Sequence, residues 1–347
     1  MSTKVVDITA QDKNEVVEGR SPFQDALREF RRNKIAVISV VFIVAEILLA
    51  LGAPLFTPYH FSQQNTANNR TKPMTAFIVT TDRIDNCHWA DTPIEWGCTL
   101  FVFGSDGLGR DIWSRVVYGS RVSLAVAFIA AAVIFLIGTI YGTISGFAGG
   151  SVDNFMMRIV DFLYAIPALP LIILMTVYFN ALARAGVQEG VAGFLIGLDR
   201  RMGGLLFVFI AIGTLSWIGL ARLARGQVLS YKEKEFVEAA HAIGASDSRI
   251  IFTHLLPNII GPLLISISLA IPGFIFLEAV LSFIGLGVRP PTPSWGAMIN
   301  EAAAGGFRSN PHLVLVPGIA LVLTTLAFNF AGDGLRDAFD PRLRGKH

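Results

Sequence analysis

The residues of this 347-residue chain whose types could do chemistry are few, and they stand in unusual places. Glu46, Asp161 and Glu278 each lie inside a long apolar run. A carboxylate there could relay protons or line a polar path, because an ionised group among apolar residues is costly and faces protein or water. It could equally serve structure. Asp161, three residues from Arg158, is expected to form an ion pair, and Glu46 a helix–helix hydrogen bond. Glu278, in "FLEAVLSF", has the best claim on a pathway. Cys87 and Cys98, with His88 beside the first, are too few to hold a metal cluster. No G-x-x-x-x-G-K-[ST] occurs, so the chain has no phosphate-cradling loop of its own. No catalytic residue, metal or cofactor is assigned to it.

What positions these groups is a membrane. Hydrophobic residues make up 53% of the chain and charged ones 16%, against about 25% charged in soluble domains. Six stretches, about 35–57, 122–147, 157–180, 204–224, 259–286 and 312–332, can each cross a hydrocarbon core of ~30 Å as a helix. Helices are required because lipid offers the backbone no other partner. Pro167, Pro170 and Pro272 fall inside them and are expected to mark kinks that shape a cavity or gate.

Residues 1–34 hold no apolar core followed by a cleavage site, so no removable signal peptide is expected. Within them Ser21, Pro22 and Gln24 read as a capped helix start. Phe23, Leu27 and Phe30 share a face with bases nearby, the pattern of a helix on an anionic lipid surface. Arg28, Arg31, Arg32 and Lys34 precede the first span, and Arg336, Arg342, Arg344 and Lys346 follow the last. Both termini are therefore expected in the cytoplasm. Residues about 58–118, 181–203 and 287–311 then face outside, and 225–258 faces inside. In the oxidising outer compartment Cys87 and Cys98 are expected to form a disulfide, two thiols being the alternative.

The inner segment carries "EFVEAAHAIGASDSRIIFTHLLPN", Glu235 to Asn258, which resembles a helix-turn-helix. Ser230 and Glu233 read as a capping box opening a helix at about Tyr231. Phe236, Ala240 and Ile243 share one face, with Glu235 and Glu238 more to the other side. Gly244 reads as the residue just past the helix end, where a positive φ costs glycine little. Ser246 or Asp247 would cap a second short helix that Pro257 closes or kinks. Nucleic-acid binding is excluded by charge, since Arg225, Lys232, Lys234 and Arg249 are matched by Glu233, Glu235, Glu238 and Asp247. Small residues at Ala239, Ala240 and Gly244 suit close docking against another protein.

Glu238-Ala239-Ala240, then Gly244, then Leu256-Pro257 resembles the EAA loop of ABC-importer permeases, with His254 where the family often has Ile. "GSDGLGRDIWSRVVYGSRVSL", "VRPPTPSWGAMINEA" and "FNFAGDGLRDAFDPRLRG" are similar to the C-type subunit of dipeptide and oligopeptide permeases, and "VEGRSPFQDALREFRRNKIAV" leans to the oligopeptide branch. The resemblance runs from about residue 17 to the C-terminus, leaving out a Cys-containing insert at about 66–100. It implies an all-α polytopic membrane protein of type I ABC-importer fold in a bacterial cytoplasmic (inner) membrane. An elbow helix lies within 1–34, and a transmembrane core spans 119–333. It also implies a homologous B-type permease partner and an extracytoplasmic peptide-binding protein. Two cytoplasmic ATPases would bind ATP and Mg and seat the coupling helix. The residues that would carry coupling are Glu235, Phe236, Glu238, Ala239, Ala240, Gly244, Ala245, Leu256 and Pro257. A nickel or glutathione importer shares these motifs. A proton-coupled secondary transporter would use Glu46 or Glu278 and would need no ATPase dock.

Overall fold

A computed structural model describes residues 22–64, 66, 69–73, 101–186, 189–304 and 309–339. Apart from one isolated bridge between Ser105 and Asp111, every regular element among these residues is helical. Helix α1 (Pro22–Arg32) is followed after Asn33 by α2 (Lys34–Leu51), whose first turn is capped by the Asn33 side chain accepting from the Ala36 N–H at 3.1 Å. A short α3 (Ala53–Phe56) leads away from it. Then come α4 (Ile112–Ala148), α5 (Gly150–Tyr164), α6 (Ala168–Arg184) and α7 (Gly190–Arg201). Helices α8 (Leu205–Lys232), α9 (Glu235–Ala242) and α10 (Asp247–Arg249) follow. A π-helical turn, Ile250–Leu255, joins α10 to α11 (Leu256–Phe283), and α12 (Trp295–Ala304) and α13 (His312–Phe339) complete the described chain.

Five of these segments are long and apolar enough to cross a membrane: α2, α4, α8, the run Asp247–Phe283, and α13. The expected third span is a bent pair. Helices α5 and α6 meet at 79°, and counting them as one span gives six. Pro167 stands at the break as the N-cap of α6, with Pro170 in the first turn. Neither proline costs a helical hydrogen bond there, because the first N–H groups have no partner within the helix. Pro272 instead lies inside α11 and is buried.

Helices α4 and α8 form the centre of the bundle. Gly138, Gly142 and Gly146, four residues apart on one face of α4, leave room for Leu220, Ala224 and Val228 of α8. A Cβ on Gly142 would stand 2.7 Å from that of Ala224. Small residues at such a seam let two backbones approach, the arrangement that substitutes for a hydrophobic driving force between helices in lipid. Around this pair α11 and α13 pack with α2 outermost, and Ile38, Ile140 and Phe162 point outward.

The segments between spans hold helices of their own. Buried Asp199 of α7 accepts from the Phe207 N–H of α8 at 3.3 Å and faces Arg289 at 3.1 Å. Arg289 also reaches Asn180 of α6 at 3.0 Å. These contacts tie α6, α7, α8 and the approach to α12 together.

Candidate functional site

The unit between α8 and α11 is built differently from its sequence signals. Ser230 and Glu233 do not open a helix, because α8 runs through to Lys232. Val228 packs against Gly146 and Lys232 donates to the Gly146 carbonyl at 3.3 Å, so tertiary contacts with α4 outweigh the local capping signal. Helix α9 starts at Glu235, and neither it nor α10 receives a side-chain cap, from Ser246 or otherwise.

The end of α9 is a Schellman motif. The Ala245 N–H donates to the Ala240 carbonyl at 3.0 Å and the Gly244 N–H to that of His241 at 2.9 Å, with Gly244 at φ +78°. Pro257 does not close the unit. The chain widens into the π turn, where the Leu256 N–H bonds to the Ile251 carbonyl, and passes straight into α11. That wider register accommodates a ring with no N–H to give.

Within this unit Val237 and Ala240 are buried together with Ile250 and Leu255. The shared face of Phe236, Ala240 and Ile243 is therefore not the buried one: Ile243 is 85% exposed and Phe236 41%. Glu235, Glu238 and Ala239 are exposed as well, Ala245 and Leu256 half-buried, and Phe252 nearby is 67% exposed. The outcome is a short, firmly anchored helix presenting isolated large apolar side chains among carboxylates.

The carboxylates of the spans have found specific partners. Glu46 accepts a hydrogen bond from Thr324 of α13 at 2.8 Å, the helix–helix contact expected of it. Asp161 pairs at 2.6 Å with Arg222 of α8, not with Arg158 of its own helix, and Arg222 also lies over the Tyr164 ring. Glu278 is 1% exposed and accepts from Ser123 of α4 at 2.9 Å and from Ser282 at 2.6 Å. It lies within the bundle, joining α4 to α11. The pairing of Cys87 with Cys98 falls outside the described residues.

At the N-terminal end of α4 a charged network forms that the spacing of residues did not reveal. Asp106 accepts from Arg110 and Arg115, each at 2.6 Å. Glu301 of α12 accepts from the same two arginines, each at 2.7 Å. Burial alone would raise Asp106, but Arg115, Arg110 and two backbone N–H groups hold its carboxyl below the usual range. The signal was present in two quoted motifs, "SDGLGRDIWSR" and "MINEA". Only the fold brings them together, across 186 residues from Arg115 to Glu301.

Long apolar helices held by buried polar contacts, with a compact surface unit inserted between two of them, define a polytopic α-helical membrane protein. The family of binding-protein-dependent transport system inner membrane components matches residues 138–345, and the N-terminal TM domain of oligopeptide transport permease C matches 21–73. The oligopeptide transport system permease protein OppC of Bacillus subtilis is 37% identical over 324 residues, covering 93% of this chain and 91% of that protein. Its namesake from Haemophilus influenzae is 38% identical over 328 residues, covering 94% and 91%. The glutathione transport system permease protein GsiD of Salmonella paratyphi A is 36% identical over 329 residues, covering 94% and 92%. The chain therefore belongs to the binding-protein-dependent permeases of ABC importers, as an OppC-like member with the type I importer fold.

Proposed function

We propose that this chain is the C-type permease subunit of an ATP-driven oligopeptide importer in a bacterial cytoplasmic membrane. The observation that carries the reading is 37–38% identity to oligopeptide permeases over more than nine-tenths of the chain. The subunit forms half of a translocation pathway with a homologous B-type permease. An extracytoplasmic binding protein delivers peptide, and two cytoplasmic ATPases supply the energy, binding the ATP and Mg that this chain does not.

Coupling is assigned to α9 and its turn. Glu235, Phe236, Glu238 and Ala239 face the ATPase, with Ile243 and Phe252 adding apolar contact. Ala240, Gly244, Ala245, Leu256 and Pro257 hold the helix in place. The firm anchoring by Val237 and Ala240 supports this role, since a lever must move as a rigid body with the spans. Basic residues before α2 and after α13 favour cytoplasmic termini. For the pathway, the bend at Pro167 and Pro170 is the better-supported gate. Pro272 and Glu278 are assigned to the framework behind it.

The test is reconstitution. The complete complex in proteoliposomes should import a labelled tetrapeptide only with ATP and binding protein. The isolated chain should neither bind nor hydrolyse ATP. The relative from Salmonella favours glutathione as a second substrate reading. Uptake of glutathione in preference to all tested tetrapeptides would replace the first reading with the second.

A further inference from the structure

The network of Asp106, Arg110, Arg115 and Glu301 is one wall of a cavity of about 400 Å³, a size typical of small-ligand sites. Ile112, Met298 and Leu313 supply an apolar wall, and Arg70 stands at the rim. Arg110 and Arg115 are 5% and 2% exposed. Burying such a cluster costs desolvation that pairing only offsets, so apolar replacement would serve stability about as well. Its placement at a cavity wall fits a binding role better than a purely structural one.

The charges do not cancel. Among the described residues three guanidinium groups line the cavity against two carboxylates, for a net charge of 3 − 2 = +1. Both Glu301 oxygens already accept from arginine, Oε2 from Arg110 and Arg115 and Oε1 from Arg115 at 3.2 Å, so the carboxylates are committed to the buried guanidinium groups. The excess is Arg70. Its backbone N–H is held by the Asp106 carbonyl at 3.0 Å, and its φ of +53° is one that non-glycine residues seldom adopt. Among the described residues its guanidinium forms no ion pair.

We propose that this cavity binds a monoanionic carboxylate carried on a short apolar group, with Arg70 as counter-charge. The buried network is itself neutral, so the positive charge offered to the ligand is that of Arg70, and Ile112, Met298 and Leu313 receive the apolar substituent. In a peptide importer that group is the C-terminal residue of a peptide, an identification that rests on the function proposed above.

The assembled transporter in lipid nanodiscs, without its binding protein, is titrated calorimetrically with isovalerate, with trileucine and with trileucine amide. The two acids should bind saturably and the amide at least about tenfold more weakly. Arg70→Gln should lose about tenfold for both acids, and Arg70→Lys should recover part of it. Arg70 is exposed, so neither variant should alter the melting temperature. Equal affinity for acid and amide, unchanged binding by Arg70→Gln, or no binding of either acid to the wild type would each overturn the site. A transporter that imports peptide but binds no acid here keeps its proposed function and loses only this inference. One that binds isovalerate through Arg70 but imports no peptide keeps the site and loses the peptide reading.

Discussion

Arg225 of α8 grips Asp153 of α5 through two parallel bonds, each 2.6 Å long, while Ser145 of α4 donates to the same carboxylate at 2.5 Å. One buried carboxylate thus fastens three helices, within seven residues of where α8 ends and the α9 unit begins. The planar fork of Arg fits this pairing as Lys would not. One turn earlier, Arg222 meets Asp161 as a second rung, but that pair is 39% and 67% exposed.

The two rungs should differ in worth. Arg225→Ala leaves Asp153 only the more distant charge of Lys232 and should cost roughly 2–4 kcal/mol, whereas the exposed Arg222→Ala should cost about 1 kcal/mol or less. Thermal unfolding of the detergent-solubilised complex would rank them. A double-mutant cycle of Arg225→Ala with Asp153→Ala should show coupling; strict additivity would mean that the clasp is incidental.

Two glycine substitutions should move stability in opposite directions. A Cβ at Gly142 meets Ala224 and the Arg225 backbone nitrogen at 2.7 and 2.9 Å, so Gly142→Ala must push α4 and α8 apart. A loss of about 1–3 kcal/mol is expected, and Gly142→Leu should abolish folded yield. Gly226, inside α8, has nothing within 4 Å of an added Cβ. Gly226→Ala should therefore gain roughly 0.5–1 kcal/mol from helix propensity. Size-exclusion profiles and melting curves decide, and equal responses at both positions would contradict the seam.

The contrast between these glycines shows which parts of the fold were readable. Apolar runs announce spans because every residue of a span meets the same solvent, and Gly244 announces a helix end because its turn is local. Pairings between helices carry no such signature. Asp161 has Arg158 within one turn, yet it chooses Arg222, 61 residues away, because packing of α5 along α8 brings that guanidinium to it. The capping box at Ser230 failed for the same reason: Val228 and Lys232 are claimed by α4 before the local signal can act. The 79° bend was half legible, since Pro167 and Pro170 forecast a break but not its angle.

Asp111 should make stability depend on pH in a defined window. It caps α4 just outside the span, its Oδ2 accepting from the Ser114 N–H at 2.8 Å and hydroxyl at 2.6 Å. Burial outweighs those bonds and pushes its carboxyl up to about 6. The folded state therefore favours the protonated acid. That contribution is complete below the unfolded value of about 4 and is lost as pH rises through about 6, at most about 3 kcal/mol. Asp106, held low, acts oppositely and only at more acid pH. Asp111→Asn keeps the acceptor and removes the titration. The wild type should gain on this variant in melting temperature as pH falls from 7.5 to 4.5; parallel curves would refute the assignment.

Gly244 offers the sharpest test of the α9 unit. Its φ of +78° closes the Schellman turn, and an added Cβ would meet nothing within 4 Å. The cost of a side chain is thus purely conformational within this chain, about 1–2 kcal/mol for a β-branched residue and less for Asn, which tolerates the left-handed region. Gly244→Val should insert in the membrane at normal levels yet lose most ATP-driven peptide uptake, because α9 no longer ends where its partner needs it. Gly244→Asn should retain a substantial fraction. Co-purification with the ATPases separates the causes: weakened association in Val but not Asn is expected. Full uptake by Gly244→Val would show that the geometry of this turn has no part in coupling.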